Sequence, residues 1–176
     1  MKKLRAAAIG CLLAGSTAHA APPLELKGYA IGAKKTPAIA HAVSCGHDFV
    51  PGFDTCIPNV PQTIAGVEMN TFSLQFHGDV LKGISGSFSA DHFDDVLSAL
   101  KSKYGVPKIT AGEVSNAMGA KFDDVIAAWD HPNGGILLKK RAGKIDRSMI
   151  SVSAKDMMSI HDAAEAEELK RRAADL

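Results

Sequence analysis

The chain has 176 residues with a nearly balanced charge, 20 Lys and Arg against 19 Asp and Glu. Loss of the first twenty residues, which carry three of these cations, would leave 17 basic against 19 acidic side chains. Proteins that bind nucleic acid usually carry a clear basic excess, so this class is disfavoured. No phosphate loop, zinc spacing or catalytic-serine motif occurs, so the sequence indicates no cofactor and favours a protein without enzymatic activity.

Residues 1–20 have the pattern of an export signal. Lys2, Lys3 and Arg5 precede the apolar stretch "AAAIGCLLAG", and "AHA" places small residues before a cleavage point after Ala20. The apolar stretch is about half of what a membrane-spanning helix needs. We therefore expect cleavage after Ala20 and a periplasmic location, with full secretion as the alternative. "AIGC" also resembles a lipoprotein cleavage box, which leaves lipidation of Cys11 open.

Two cysteines remain in the mature chain, Cys45 and Cys56. An even pair in an oxidising compartment predicts a disulfide. Closing so short a loop stabilises the fold by about 2–3 kcal/mol, chiefly by restricting the unfolded chain.

The first half of the mature chain predicts strands around two helices. "LELKGYAIG" is typical of a strand, and Thr36 followed by Pro37 predicts the start of a short helix. "NTFSLQF" and "VLKGISGSF" predict two strands joined by a turn. The nonamer "HFDDVLSAL" then begins an amphipathic helix that ends at Gly105 because Pro107 blocks its continuation.

A second nonamer, "KFDDVIAAW", repeats the apolar spacing of the first, but the turn sequence "HPNGG" follows it. Read with period two, Val125, Ala127 and Trp129 share one face, and the turn joins them to Ile136 and Leu138. We therefore favour a strand in a hairpin and keep a short helix as the alternative. "SMISVS" predicts a further strand.

These elements predict an α+β fold, with an antiparallel sheet of about five to six strands and two helices packed on one face. The expected order is β-α-β-β, then α-β-β-β, then a C-terminal tail helix. Residues 21–155 are expected to form a single domain, and residues 156–176 the tail helix.

Several of these phrases occur together in a known group of proteins. "LKGYAIG", two cysteines, the helix end "KYGVP" and a tryptophan followed by a turn and "GGILL" resemble an uncharacterised family of small exported bacterial proteins. The resemblance covers most of the mature chain. Its shared motifs are turns, helix ends and hairpins, so it implies the fold and assigns no active site.

The paired aspartates and the histidines give weak indications of a site. Neighbouring aspartates diverge on both helices and strands, so neither "FDD" pair predicts a metal site. The six histidines of the mature chain show no metal-ligand spacing. His77 and His131 lie in predicted turns, and folding could bring them together with Trp129. A ligand site, metal site or hydrolase site assembled from loops is therefore the alternative function.

The segment "KKRAGKIDR" places five cations around a predicted turn. They could protect an edge strand from aggregation or form a docking patch for an acidic partner, anionic lipid or polysaccharide. The candidate patch residues are Lys139, Lys140, Arg141, Lys144 and Arg147. The sequence therefore favours a non-catalytic periplasmic interaction module with a protein partner, such as an inhibitor of a wall-active enzyme or an envelope-assembly partner. It predicts no nucleic-acid partner and no transmembrane segment in the mature chain, and it leaves the oligomeric state open.

Overall fold

The structure is a computed structural model that describes residues 22–174. The predicted signal peptide and Cys11 lie outside these residues. Within them the chain is α+β, with a large antiparallel sheet of eight strands, two short ribbons and three α-helices.

The described chain has twelve strands, three α-helices and one short 3₁₀ helix (Ala90–His92). In order, the strands and α-helices are β1 (Glu25–Leu26), β2 (Tyr29–Ala30), α1 (Pro37–Ala42), β3 (Val43–His47), β4 (Phe53–Pro58), β5 (Thr63–Ile64), β6 (Val67–Glu68), β7 (Thr71–His77), β8 (Val80–Ser89), α2 (Phe93–Tyr104), β9 (Lys108–Ser115), β10 (Lys121–His131), β11 (Gly134–Lys139), β12 (Arg147–Ala154) and α3 (Met157–Ala174).

The large sheet has the order β3-β4-β7-β8-β12-β11-β10-β9, and all its pairings are antiparallel. Helix α2 carries the chain from β8, in the middle of the sheet, to β9 at its far edge. The last four strands then return step by step until β12 pairs with β8. This connection leaves β9 as one edge of the sheet and β3 as the other.

The two nonamers adopt different structures, as predicted. The first forms most of α2, which ends where Gly105 takes a positive φ of 82°. The second lies in β10 and pairs with β11, with Trp129 opposite Ile136 and Ala127 opposite Leu138. The hairpin prediction is therefore confirmed, and the short-helix alternative is wrong.

The strand count exceeds the prediction of five to six. Residues 24–32 do not form one strand, because Lys27 and Gly28 take positive φ values and turn the chain into the β1–β2 ribbon. Strands β3 and β4 come from the cysteine segment, for which the sequence predicts a disulfide but no strand. Strand β9 has no buried face, so its sequence lacks the alternating pattern that would predict it.

The helices also differ from the predicted layer of two on one face. Helix α1 has six residues and no buried side chain, so α2 provides the helical cover on that face. Helix α3 begins on the opposite face, where the Met157 side chain lies against Gly83 and the His161 ring packs edge-on to Phe53.

The core lies between α2 and the face of the sheet that it covers. Its fully buried side chains come from both halves of the sheet and from the helix, and include Leu74, Ile84, Phe88, Phe93, Val96, Leu138, Ile150 and Val152. Residues on the β1–β2 ribbon also pack into this core, including Leu26. The two halves of the chain therefore fold around one shared core.

The predicted disulfide joins Cys45 of β3 to Cys56 of β4, which are directly opposite in the hairpin. We expect the double substitution Cys45→Ala/Cys56→Ala to lower the free energy of unfolding by about 2–3 kcal/mol. Urea denaturation with and without reductant measures this: reductant should lower wild type to the level of the variant and leave the variant unchanged. A variant as stable as the oxidised wild type would contradict the assignment.

Candidate functional site

Strand β9 is an open edge of the large sheet. Seven of its eight residues are exposed, and only Val114 is half-buried. It pairs with β10 along its whole length in an unbroken register. It contains no proline, and no helix of the described chain has more than peripheral contact with it. Proline residues, β-bulges and a covering helix are among the usual means by which proteins protect a sheet edge, and β9 has none of these three within the described chain.

The pattern of backbone hydrogen bonds between β9 and β10 shows which N–H and C=O groups of β9 face away from the sheet. Asn116 N–H donates to Ala120 O at 3.0 Å, and Lys140 N–H donates to Val125 O at 2.9 Å. Hydrogen-bonded and non-bonded residue pairs alternate along antiparallel strands. Since Asn116 is hydrogen-bonded to Ala120, the even-numbered residues of β9 bond to β10. The bond between Val125 and Lys140 agrees, because it turns the backbone groups of Val125 away from β9. The outward N–H and C=O groups therefore belong to Ile109, Ala111, Glu113 and Ser115.

The charged side chains of β9 are engaged within the sheet. Lys108 Nζ lies 2.6 Å from Asp130 Oδ2, and this hydrogen bond raises the pKa of the lysine. Glu113 Oε1 lies 2.7 Å from Lys121 Nζ. Each charge is therefore balanced by a partner of opposite sign on its own sheet, so these two ion pairs add no net charge to the edge.

A cleft of about 620 Å³ opens at the C-terminal end of β9. One wall is the β9–β10 turn, and the other is the loop between β11 and β12. Its lining residues are Val114, Ser115, Asn116, Ala117, Lys139, Arg141, Gly143, Lys144, Ile145 and Asp146. We call it the basic cleft, since three cationic side chains and one carboxylate line it.

The structure divides the predicted docking patch. Lys139, Arg141 and Lys144 line the basic cleft. Lys140 lies on the opposite face of the sheet, with its Nζ 5.7 Å from the centre of the Phe93 ring. Arg147 supports the loop from within, because its Nε donates to Ala142 O at 2.8 Å.

Asp124 is not part of the cleft lining, but it contacts two residues that are, Lys139 and Arg141. It is 8% exposed, and its Oδ1 accepts from the backbone N–H groups of Arg141 at 2.9 Å and Val125 at 3.0 Å. Its Oδ2 lies 3.9 Å from Lys139 Nζ, at the outer limit of an ion pair. The preceding Asp123 is exposed, so the two carboxylates point to opposite faces, as expected on a strand.

The structure brings together two of the three residues of the alternative ligand site, Trp129 and His131, but not His77. Trp129 and His131 line a small cavity of about 110 Å³, but His77 is absent from its lining. The His77 ring instead packs at a tilted angle against the Phe53 ring, with the ring centres 5.0 Å apart. His131 Nε2 is bonded to Pro22 O, and Trp129 Nε1 donates to Gly105 O. Among residues 22–174, no group of three His, Cys, Asp or Glu side chains could hold a metal ion.

The tip of the β3–β4 hairpin has a feature that the sequence analysis did not identify. The Asp48 carboxylate accepts hydrogen bonds from Thr55 Oγ1 at 2.5 Å and Gln75 Nε2 at 3.3 Å. The bond from Thr55 holds the pKa of Asp48 below its ordinary value. This ordered turn carries Phe49, whose side chain is fully exposed. An aromatic residue at a turn produces no periodic pattern, so nothing in the sequence indicates this exposed side chain.

Comparison with known proteins finds no matching family model, and no curated protein or solved structure matches the chain significantly. Across residues 22–174, no helix has the length and hydropathy needed to cross a membrane.

Proposed function

We propose that the mature chain is a non-catalytic interaction module of the exported compartment that binds a protein partner along the edge of β9. The observation that carries this proposal is the unprotected eight-residue edge with four residues whose backbone groups face outward. An extended segment of a partner would add to this edge as a further strand and form regular main-chain hydrogen bonds with it.

The properties of the fold support binding through an edge in preference to a face. The covered face of the sheet is filled by α2 and the ribbon of β1 and β2, and its core side chains are fully buried. The β3 edge is shorter, with five residues, and is linked to β4 by the disulfide. Strand β9 is the longer of the two edges. An inhibitor or an envelope-assembly factor needs such a docking surface and no catalytic group.

Site-specific photocrosslinking in the native host tests the proposal. A photoreactive residue at Ile109, which is 49% exposed, should form a discrete protein adduct. The same residue at Leu169 on α3 serves as the matched control and should form none. Ala111→Pro should abolish the Ile109 adduct, because it removes an outward donor from a position where an edge strand tolerates proline. The melting temperature of the variant verifies that it is folded.

Two results would overturn the proposal. The first is an Ile109 probe that gives no adduct while the protein is present at its normal level. The second is an adduct that persists unchanged in the folded Ala111→Pro variant, since pairing along the strand requires that donor.

A further inference from the structure

We infer that the basic cleft binds an oxyanion group, either a carboxylate or a phosphate, carried by the partner that docks on β9. The inference rests on the proposed function, because the cleft lies at the end of the proposed docking edge. Val114 and Ser115, the last two residues of that edge, also form part of the wall of the cleft. A strand added to β9 would therefore end beside the cleft.

The charges of the cleft favour an anion. Lys139, Arg141 and Lys144 line it together with a single carboxylate, that of Asp146. Asp124, which lies outside the lining, neutralises Lys139 only weakly, because the closest ion-pair distance is 3.9 Å and its Oδ1 accepts from two backbone N–H groups. Cationic groups gathered in a concave surface bind oxyanions through hydrogen bonds that are stronger than those between neutral groups.

Arg141 is held in place for this role. Its Nε donates to Asp123 O at 3.3 Å, and its Nη1 donates to Ile145 O. Its guanidinium also lies over the Phe122 ring, 5.6 Å from the ring centre. A guanidinium has five N–H donors, so three remain for a ligand. Because protein contacts already fix the side chain, a bound anion would cost little of its conformational entropy.

Lys139 and Lys144 flank this fixed arginine from two different elements. Lys139 is the last residue of β11 and its side chain is about one-third exposed, whereas Lys144 lies in the exposed loop. Neither lysine has an ion pair shorter than 3.9 Å with a described residue. The two lysines are therefore available to a ligand, and the arginine provides its fixed point.

Titration of the mature protein with small oxyanions tests the inference without the partner. Inorganic phosphate forms one arm and glutarate the other, at constant ionic strength, with backbone amide shifts followed by NMR. We expect saturable shifts in residues 114–117 and 143–146 in at least one arm, and the arm that saturates at the lower concentration identifies the group. Lys139→Gln/Lys144→Gln should weaken this binding about tenfold or more.

The control variant is Lys34→Gln/Lys101→Gln, which removes the same charge from two exposed lysines outside the cleft and should bind like wild type. Lys144→Gln alone, in an exposed loop, provides a second variant if the double variant does not fold. The inference is overturned if neither anion gives saturable shifts at these residues, or if both cleft variants bind like wild type. The Ile109 crosslink reports the proposed function independently: it would persist if only the cleft assignment were wrong.

Discussion

Replacing Gly134 by alanine is expected to destabilise the protein by about 3 kcal/mol or more, because a backbone clash blocks the added methyl group. Gly134 opens β11 with a positive φ of 154°, and a Cβ there would lie 1.9 Å from Ser153 O. Ser153 belongs to β12, which pairs with β11 in the middle of the sheet. Neither β11 nor β12 can move away without breaking the backbone hydrogen bonds that join the two halves of the large sheet.

Urea denaturation followed by far-ultraviolet circular dichroism measures this effect. Gly135→Ala is the matched control, since a Cβ at the next position would lie 3.2 Å from Trp129 O and needs only a small adjustment. We expect the control to lose about 1 kcal/mol or less. Equal losses in the two variants would show that the close approach of Gly134 to β12 does not constrain the hairpin.

Trp129→Ala is expected to cost about 3–5 kcal/mol of the free energy of unfolding, the range for loss of a large buried aromatic side chain. Trp129 is 5% exposed, and its Nε1 donates to Gly105 O at 2.8 Å. The side chain thus fills the core beside β11 and connects β10 to the end of α2. Its role in the structure is to position the second half of the sheet.

Trp129→Phe separates packing from the hydrogen bond. It keeps most of the buried area and should lose about 1–2 kcal/mol. Because Trp129 is the single tryptophan of the chain, circular dichroism is the suitable readout for both variants. A Trp129→Ala variant with wild-type stability would contradict the structural role and restore the ligand-site alternative for the Trp129 and His131 cavity.

The helices and strands that can be predicted from the sequence have one buried face and end at recognisable turn or helix-capping residues. Helix α2 has an apolar stripe, and Gly105 with Pro107 marks its end. The β10–β11 hairpin has alternation on both strands and a recognisable turn between them. In these segments local propensity and burial favour the same structure, so a single sequence suffices.

The elements that sequence missed depend on tertiary contacts. Strand β9 forms through its pairing with β10 and buries almost nothing, so its sequence shows no period-two hydrophobic pattern. Strand β3 follows α1 without a gap, because α1 ends at Ala42 and pairing with β4 begins at Val43, so no turn sequence separates the two elements. An edge strand is therefore the least visible kind of element in a single sequence, and here it carries the candidate site.

The sequence also located the cations of the candidate site without showing which of them share a face. Lys139 is the last residue of β11, and the next residue, Lys140, still forms a backbone hydrogen bond with Val125 of β10. The two side chains therefore point to opposite faces of the sheet. This places Lys139 in the cleft and Lys140 over Phe93. The folded loop turns Arg147 inward, which no pattern in "KKRAGKIDR" indicates.

Hydrogen–deuterium exchange of the amides of β9 tests the central claim most directly, comparing the bare protein with the complex recovered from the native compartment. In the bare protein, the amides of Ile109, Ala111 and Glu113 should exchange quickly, whereas those of the intervening residues that bond to β10 should exchange slowly. In the complex, all of them should exchange slowly. A recovered partner that leaves the three odd-numbered amides at their bare-protein rates would contradict binding at the β9 edge.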